Sequence, residues 1–166
     1  MQRIVRILRN TDQPIPSYIW RAWLVAYIPS LLLATITAQL VLVVGLGGSQ
    51  HSQLNPSPLV LVLALLLISP WLETLLMWPI LSILKRVIQN TVFVALASGT
   101  IWGILHSTWS LMWGFIVWWP FFVFSVCFLE WEKKSIGRAI TVTALVHTCQ
   151  NVGPAIMLTM KRLAGN

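Results

Sequence analysis

Long apolar stretches follow one another through this chain, each of roughly 20 residues or more, the length an α-helix needs to cross the hydrocarbon layer of a membrane. Short clusters of charged or turn-forming residues separate them. The first stretch extends from about Ala22 to Leu46 and gives way to GGSQHSQLNPSP, an uncharged loop of turn formers that contains His51. The second runs from about Leu59 to Leu84 and ends at Lys85 and Arg86; it has Glu73 near its middle and prolines at 70 and 79. A third begins near Thr91, carries Gly103 and His106, and leads into STWSLMWGFIVWWPFF, where the chain is expected to turn around Gly114 before a fourth span reaches Leu129. After EWEKKSIGR, a fifth runs from about Ala139 to Met160 with His147 and Asn151 inside it, and Lys161 and Arg162 close it.

The pattern predicts an all-α fold, a polytopic transmembrane helix bundle of about five spans. It divides into a basic N-terminal segment over residues 1–21, a first span with its loop over 22–58, and a four-helix core over 59–166. Residues 1–10 set Ile4, Val5, Ile7 and Leu8 among Arg3, Arg6 and Arg9. That spacing suits either a short amphipathic helix on an anionic membrane surface or a basic leader that only fixes orientation. The first apolar run is about as long as a full span and no small-x-small cleavage pattern follows it, so the first helix is expected to stay.

Composition supports the pattern. Hydrophobic residues make up 57% of the 166 and charged residues 9%, where a soluble domain carries about a quarter charged. The formal charge of +7 does not indicate nucleic acid, because the eleven Lys and Arg stand in short groups at the edges of apolar runs rather than along one face. Threading five spans in order puts Arg3, Arg6, Arg9, Arg21, Lys85, Arg86, Lys133, Lys134 and Arg138 on one side. Cytoplasmic loops keep positive charge, so the expectation is an integral, multi-pass protein with its N-terminus in the cytoplasm, Lys161 and Arg162 lying outside. Cys127 and Cys149 sit in apolar segments without metal-ligand spacing and read as small buried hydrophobes.

A carboxyl group in hydrocarbon costs several kcal/mol, about 2.5–3.5 for an Asp at a helix centre, so Glu73 needs a reason. Structural glue to a neighbouring helix is one reason; a base, a proton relay or an ion ligand is another. Pro70 and Pro79 each remove a backbone donor and leave carbonyls that need water or a partner, which favours a hydrated pocket. Gly103 lets another helix approach one turn before His106. His147 and Asn151, four residues apart, share one helix face at about 6 Å along the axis. Counting at 1.5 Å per residue puts Glu73, His106, His147 and Asn151 at compatible depths. No HExxH or other metal triad is present, so no metal or cofactor is expected and water activation by a carboxylate needs the fewest assumptions.

Three motifs in order resemble those of the CAAX protease and bacteriocin-processing family, also called CPBP or Abi. The first reads Pro70-Trp-Leu-Glu73-Thr-Leu-Leu-Met-Trp78, the second Trp102-Gly-Ile-Leu-His106, the third His147-Thr-Cys-Gln-Asn151. Together they cover residues 59–160 and resemble a minimal version of the family's core. The resemblance implies a glutamate-dependent intramembrane endopeptidase acting without a bound metal on a peptide or membrane-protein substrate. Carried over, Glu73 activates water, His106 holds the same water, and His147 and Asn151 stabilise the oxyanion. The chain departs from the family at Thr74, where a second Glu is expected, and at Trp78, where an Arg is expected. The competing reading is therefore a catalytically inactive membrane subunit or chaperone that holds a membrane-protein partner in the same cavity or on its Trp-rich face, with Trp118 and Trp119 as lipid-facing anchors. An ion or proton pathway is the thinnest of the three readings, since it rests on a single acidic residue.

Overall fold

In the computed structural model, described over residues 2–44, 57–108 and 110–164, the chain is helical throughout and no strand occurs among the described residues. Helix α1 covers Gln2–Arg9, α2 Ile15–Val44, α3 Pro58–Leu63, α4 Ser69–Val87, α5 Thr91–Ser107, α6 Leu111–Glu132 and α7 Ile136–Leu163, and a π-helical turn over Ala64–Ile68 joins α3 to α4. His51 and most of the loop around it lie outside the described residues. Ser57 accepts from the Val60 amide ahead of Pro58, Asn90 from the Val92 amide at 2.9 Å, and Ser135 from the Arg138 amide at 3.1 Å. These caps satisfy backbone donors at the starts of α3, α5 and α7, where the helix cannot do so itself.

Three helical stretches are long and apolar enough to cross a membrane: Ile15–Val43, Pro58–Val87 and Leu111–Glu132. The first two bury little of themselves in the protein and expose Leu, Ile and Val along their length, which is the surface of a lipid-facing helix. Helices α5 and α7 fall short of this length and apolar character for separate reasons. Helix α5 has 17 residues, about 25 Å, and α7 carries His147, Gln150 and Asn151. The residues that lower the apolar character of α7 are those that raised the functional question.

Helix α6 is the central post, packed by α1, α2, α4, α5 and α7. Helices α5 and α6 run antiparallel, with Ser98 beside Ser125 and Gly103 beside Gly114. Gly99 meets the backbone of Trp118 and Phe122, and Gly103 meets Gly114 across the α5–α6 contact. A side chain at Gly114 would collide with Ser107 and with the Gly103 carbonyl, so the glycines set how closely the two helices approach. The expected turn at Gly114 is therefore displaced: the chain reverses between Ser107 and Leu111, and Gly114 already lies inside α6. A glycine in an apolar run signals either a turn or close packing, and here packing decides. Ser125 Oγ, fully buried, donates to Phe121 O at 2.7 Å and contacts Ser98 Oγ at 2.8 Å at the same interface.

Charge gathers at one end. Lys85 pairs with Glu132 at 2.6 Å, Arg9 with Glu130 at 3.4 Å, Lys134 with Asp12 at 3.0 Å, and Lys133 also bonds Glu130. Helix α1 belongs to this end. Val5 and Leu8 are buried against the bundle and the Tyr18 hydroxyl donates to Leu8 O at 2.9 Å, so this side of the N-terminal helix is covered by protein while Ile7 stays exposed. Trp118 and Trp119, read from sequence as lipid-facing, are half-buried, and their indole N–H groups donate to Thr100 Oγ1 at 3.1 Å and Val25 O at 2.9 Å. An aromatic-rich run marks a membrane interface or a packed seam equally well, and these two brace α6 against α5 and α2.

Candidate active site

Glu73, His106 and His147 come from α4, α5 and α7 and meet over the aromatic face of α6. Glu73 Oε2 lies 3.7 Å from His147 Nε2 and 4.0 Å from His106 Nε2. Phe121 sits between the imidazoles, with ring centroids 5.1 Å from His106 and 5.4 Å from His147; Phe124 stacks on His147 at 4.5 Å and Trp102 on Phe121 at 4.6 Å. Rings packed this way fix the angle of each imidazole. Both Glu73 and His106 keep 20% of the side chain exposed while His147 keeps 5%, so the carboxyl stands at the mouth of the cluster and His147 at its base.

Hydrogen bonds outside the trio orient it. The Ser69 hydroxyl, one turn before Glu73, donates to Oε1 and leaves Oε2 to face the histidines. His106 Nδ1 lies 2.8 Å from the Trp102 carbonyl, which can only accept, so in the neutral ring we assign the proton to Nδ1 and the lone pair to Nε2. His147 Nδ1 is buried and meets no partner among the described residues. A buried unpaired N–H is rarer than an under-satisfied acceptor, so we assign the neutral ring's proton to Nε2, aimed at Glu73.

Asn151 shares the His147 face as its spacing predicts, but its Nδ2 donates to Leu65 O at 2.9 Å, in the π turn, rather than to Glu73. Thr148 Oγ1 donates to Leu66 O at 3.0 Å. Ser69, Thr148 and the Phe121–Phe124 pair have no role in the sequence reading. The signal for Ser69 is its four-residue spacing from Glu73, and that for Thr148 is the acceptor orphaned four residues before Pro70.

Where the first motif departs from its family pattern, Thr74 is fully buried with no partner for Oγ1 among the described residues, and Trp78 is part-exposed on α4. Among the described residues no group of three or more His, Cys, Asp or Glu is arranged to hold a metal ion. A separate recess of about 350 Å³ lies at the charged end, lined by Lys85, Gln89, Thr91, Glu132 and Lys133. It does not include the trio. Neither a protein-family model, a curated protein nor a solved structure matches the chain.

Proposed function

We propose that this protein is an intramembrane endopeptidase of the CPBP type, five spans with the N-terminus in the cytoplasm, that cleaves a peptide or membrane-protein substrate with water activated by Glu73. The observation that carries the reading is the pair of imidazole nitrogens within 4.0 Å of one carboxyl oxygen, the three side chains coming from three separate helices. Separations of 3.7 and 4.0 Å exceed a direct hydrogen bond and suit one shared water. The tautomers fit that water. It donates to Glu73 Oε2 and to the His106 Nε2 lone pair, accepts from His147 Nε2–H, and keeps one lone pair for attack.

On attack at a peptide carbonyl, the water oxygen bonds the carbon and its proton passes to Glu73. Charge accumulates on the former carbonyl oxygen, where a preorganised N–H contributes most. His147 Nε2–H and the second N–H of the Asn151 amide are the donors on that side. When the C–N bond breaks, the proton held by Glu73 passes to the leaving amine. The cluster of cations at the end bearing α1 supports a cytoplasmic N-terminus.

The second reading is a non-catalytic membrane subunit that holds a partner, and it is favoured by Thr74 and Trp78 in place of the family's Glu and Arg. Quantitative comparison of protein N-termini in membranes from cells carrying wild type or Glu73→Gln separates the two. The peptidase reading predicts a product that disappears and a precursor that accumulates, at unchanged abundance of the protein itself. Identical termini in both samples contradict it; partner co-purification that survives Glu73→Gln and is lost on changing Trp residues establishes the second reading.

A further inference from the structure

The π turn between α3 and α4 sits where the helix has lost a donor. Pro70 has no N–H, so the Leu66 carbonyl has no α-helical partner at position 70. The Ser69 N–H reaches back five residues to Ala64 O, so the Leu65 carbonyl has no partner at 69 either. Both orphaned carbonyls are taken by α7: Leu66 by the Thr148 hydroxyl at 3.0 Å and Leu65 by the Asn151 amide at 2.9 Å. In hydrocarbon an unpaired carbonyl costs several kcal/mol, so these two side chains determine whether the wide turn persists.

A π turn holds one residue more than an α turn and thus offsets the helix that follows it by about 100° relative to the helix before it. Helices α3 and α4 and the turn between them all pack on α7. With α3 held there, a regular helix through residues 64–68 would swing Glu73 into the direction now taken by Leu72, which is 53% exposed, or by Thr74, which is fully buried. Either direction lies about 100° around the helix from the one in which Glu73 now meets the histidines.

We propose that Thr148 and Asn151 are positioning residues: by satisfying Leu66 and Leu65 they hold the π turn, and the turn sets the rotation that points Glu73 at His106 and His147. Ser69, the residue at which the π turn ends, then fixes the carboxyl's rotamer. The importance of this device rests on Glu73 being the catalytic base, but its geometry is testable without any substrate.

The test is the imidazole ¹⁵N spectrum of the full chain, labelled at its three histidines and reconstituted in phosphatidylcholine vesicles, with lines assigned through His106→Gln and His147→Gln. Glu73→Gln defines the shift of the Nε2 lines that signals loss of the carboxylate. Pro70→Ala restores a backbone donor and favours a regular helix, so it raises helix stability while shifting both Nε2 lines as Glu73→Gln does. Thr148→Val removes the hydroxyl at constant shape and produces the same shift, and Thr148→Ser returns the lines to wild-type positions. A purely structural role for these bonds predicts a stabilised Pro70→Ala protein whose Nε2 lines stay at wild-type positions, and that result overturns the proposal. Pro70→Ala decides alone if Thr148→Val does not reconstitute. A shifted spectrum with unchanged substrate cleavage retains the positioning device and removes Glu73 as the catalytic base, whereas cleavage that depends on Glu73 with unmoved lines does the reverse.

Discussion

Glu130 and Glu73 are carboxylates within one bundle held in opposite ways. Glu130, near the charged end of α6, is 4% exposed and has Arg9 at 3.4 Å and Lys133 bonded to it. Glu73 is 20% exposed and, among the described residues, is met by a serine hydroxyl and two imidazoles. Guanidinium and ammonium groups fix a carboxylate in one state, because they hold their protons throughout the ordinary pH range. The two imidazoles beside Glu73, in the neutral tautomers assigned above, place no fixed positive charge on it. The first arrangement ties α1 to α6; the second suits the proposed role, in which the Glu73 carboxyl takes up and returns a proton.

The largest expected effect breaks the comparison at Glu73. Glu73→Gln keeps the shape and an acceptor for Ser69 but cannot take up a proton, and cleavage falls about 10³-fold, within the range for loss of a general base, while the unfolding midpoint in detergent stays at the wild-type value. His106→Gln is the next largest, with a loss of about 10²-fold, because Glu73 and His147 still hold the water from two sides. The order reverses at the other carboxyl. Glu130→Gln lowers stability by about 1–2 kcal/mol, less than for a fully enclosed pair since Arg9 and Lys133 reach solvent, and leaves cleavage per folded molecule unchanged. Arg9→Gln costs least, about 0.5 kcal/mol, and the cost fades as salt rises. Stability is read from thermal unfolding in detergent, cleavage from product formation with the substrate that the comparison of termini identifies. Activity loss at Glu130 matching that at Glu73 would erase the distinction.

Much of the site was legible in the chain because a polar group in an apolar run has few explanations. Glu73, His106 and His147 were each anomalous in place, and rise per residue put them at one depth. Asn151 was anomalous too, yet its partner depends on the π turn, and a π turn leaves almost no trace in sequence beyond the proline that orphans its acceptors. The N-terminal segment shows a different limit. Alternating Arg and aliphatic residues encode an amphipathic helix, but not whether lipid or protein covers it; Leu8 is covered by protein only because Tyr18 and α6 are there to receive it. The Trp-rich run was ambiguous for the same reason, since an indole N–H finds a headgroup or a carbonyl with equal chemistry.

A distance settles whether the carboxyl and the imidazoles belong to one site in a real bilayer. Solid-state NMR of the chain in lipid, with ¹³C in the glutamate carboxyls and ¹⁵N in the histidine rings, measures dipolar coupling from Glu73 to each Nε2. The geometry predicts strong coupling to both, matching oxygen-to-nitrogen separations of 3.7 and 4.0 Å, and its loss in Glu73→Gln when only glutamate is labelled. Coupling to neither ring in the intact protein would contradict the shared site and the chemistry derived from it.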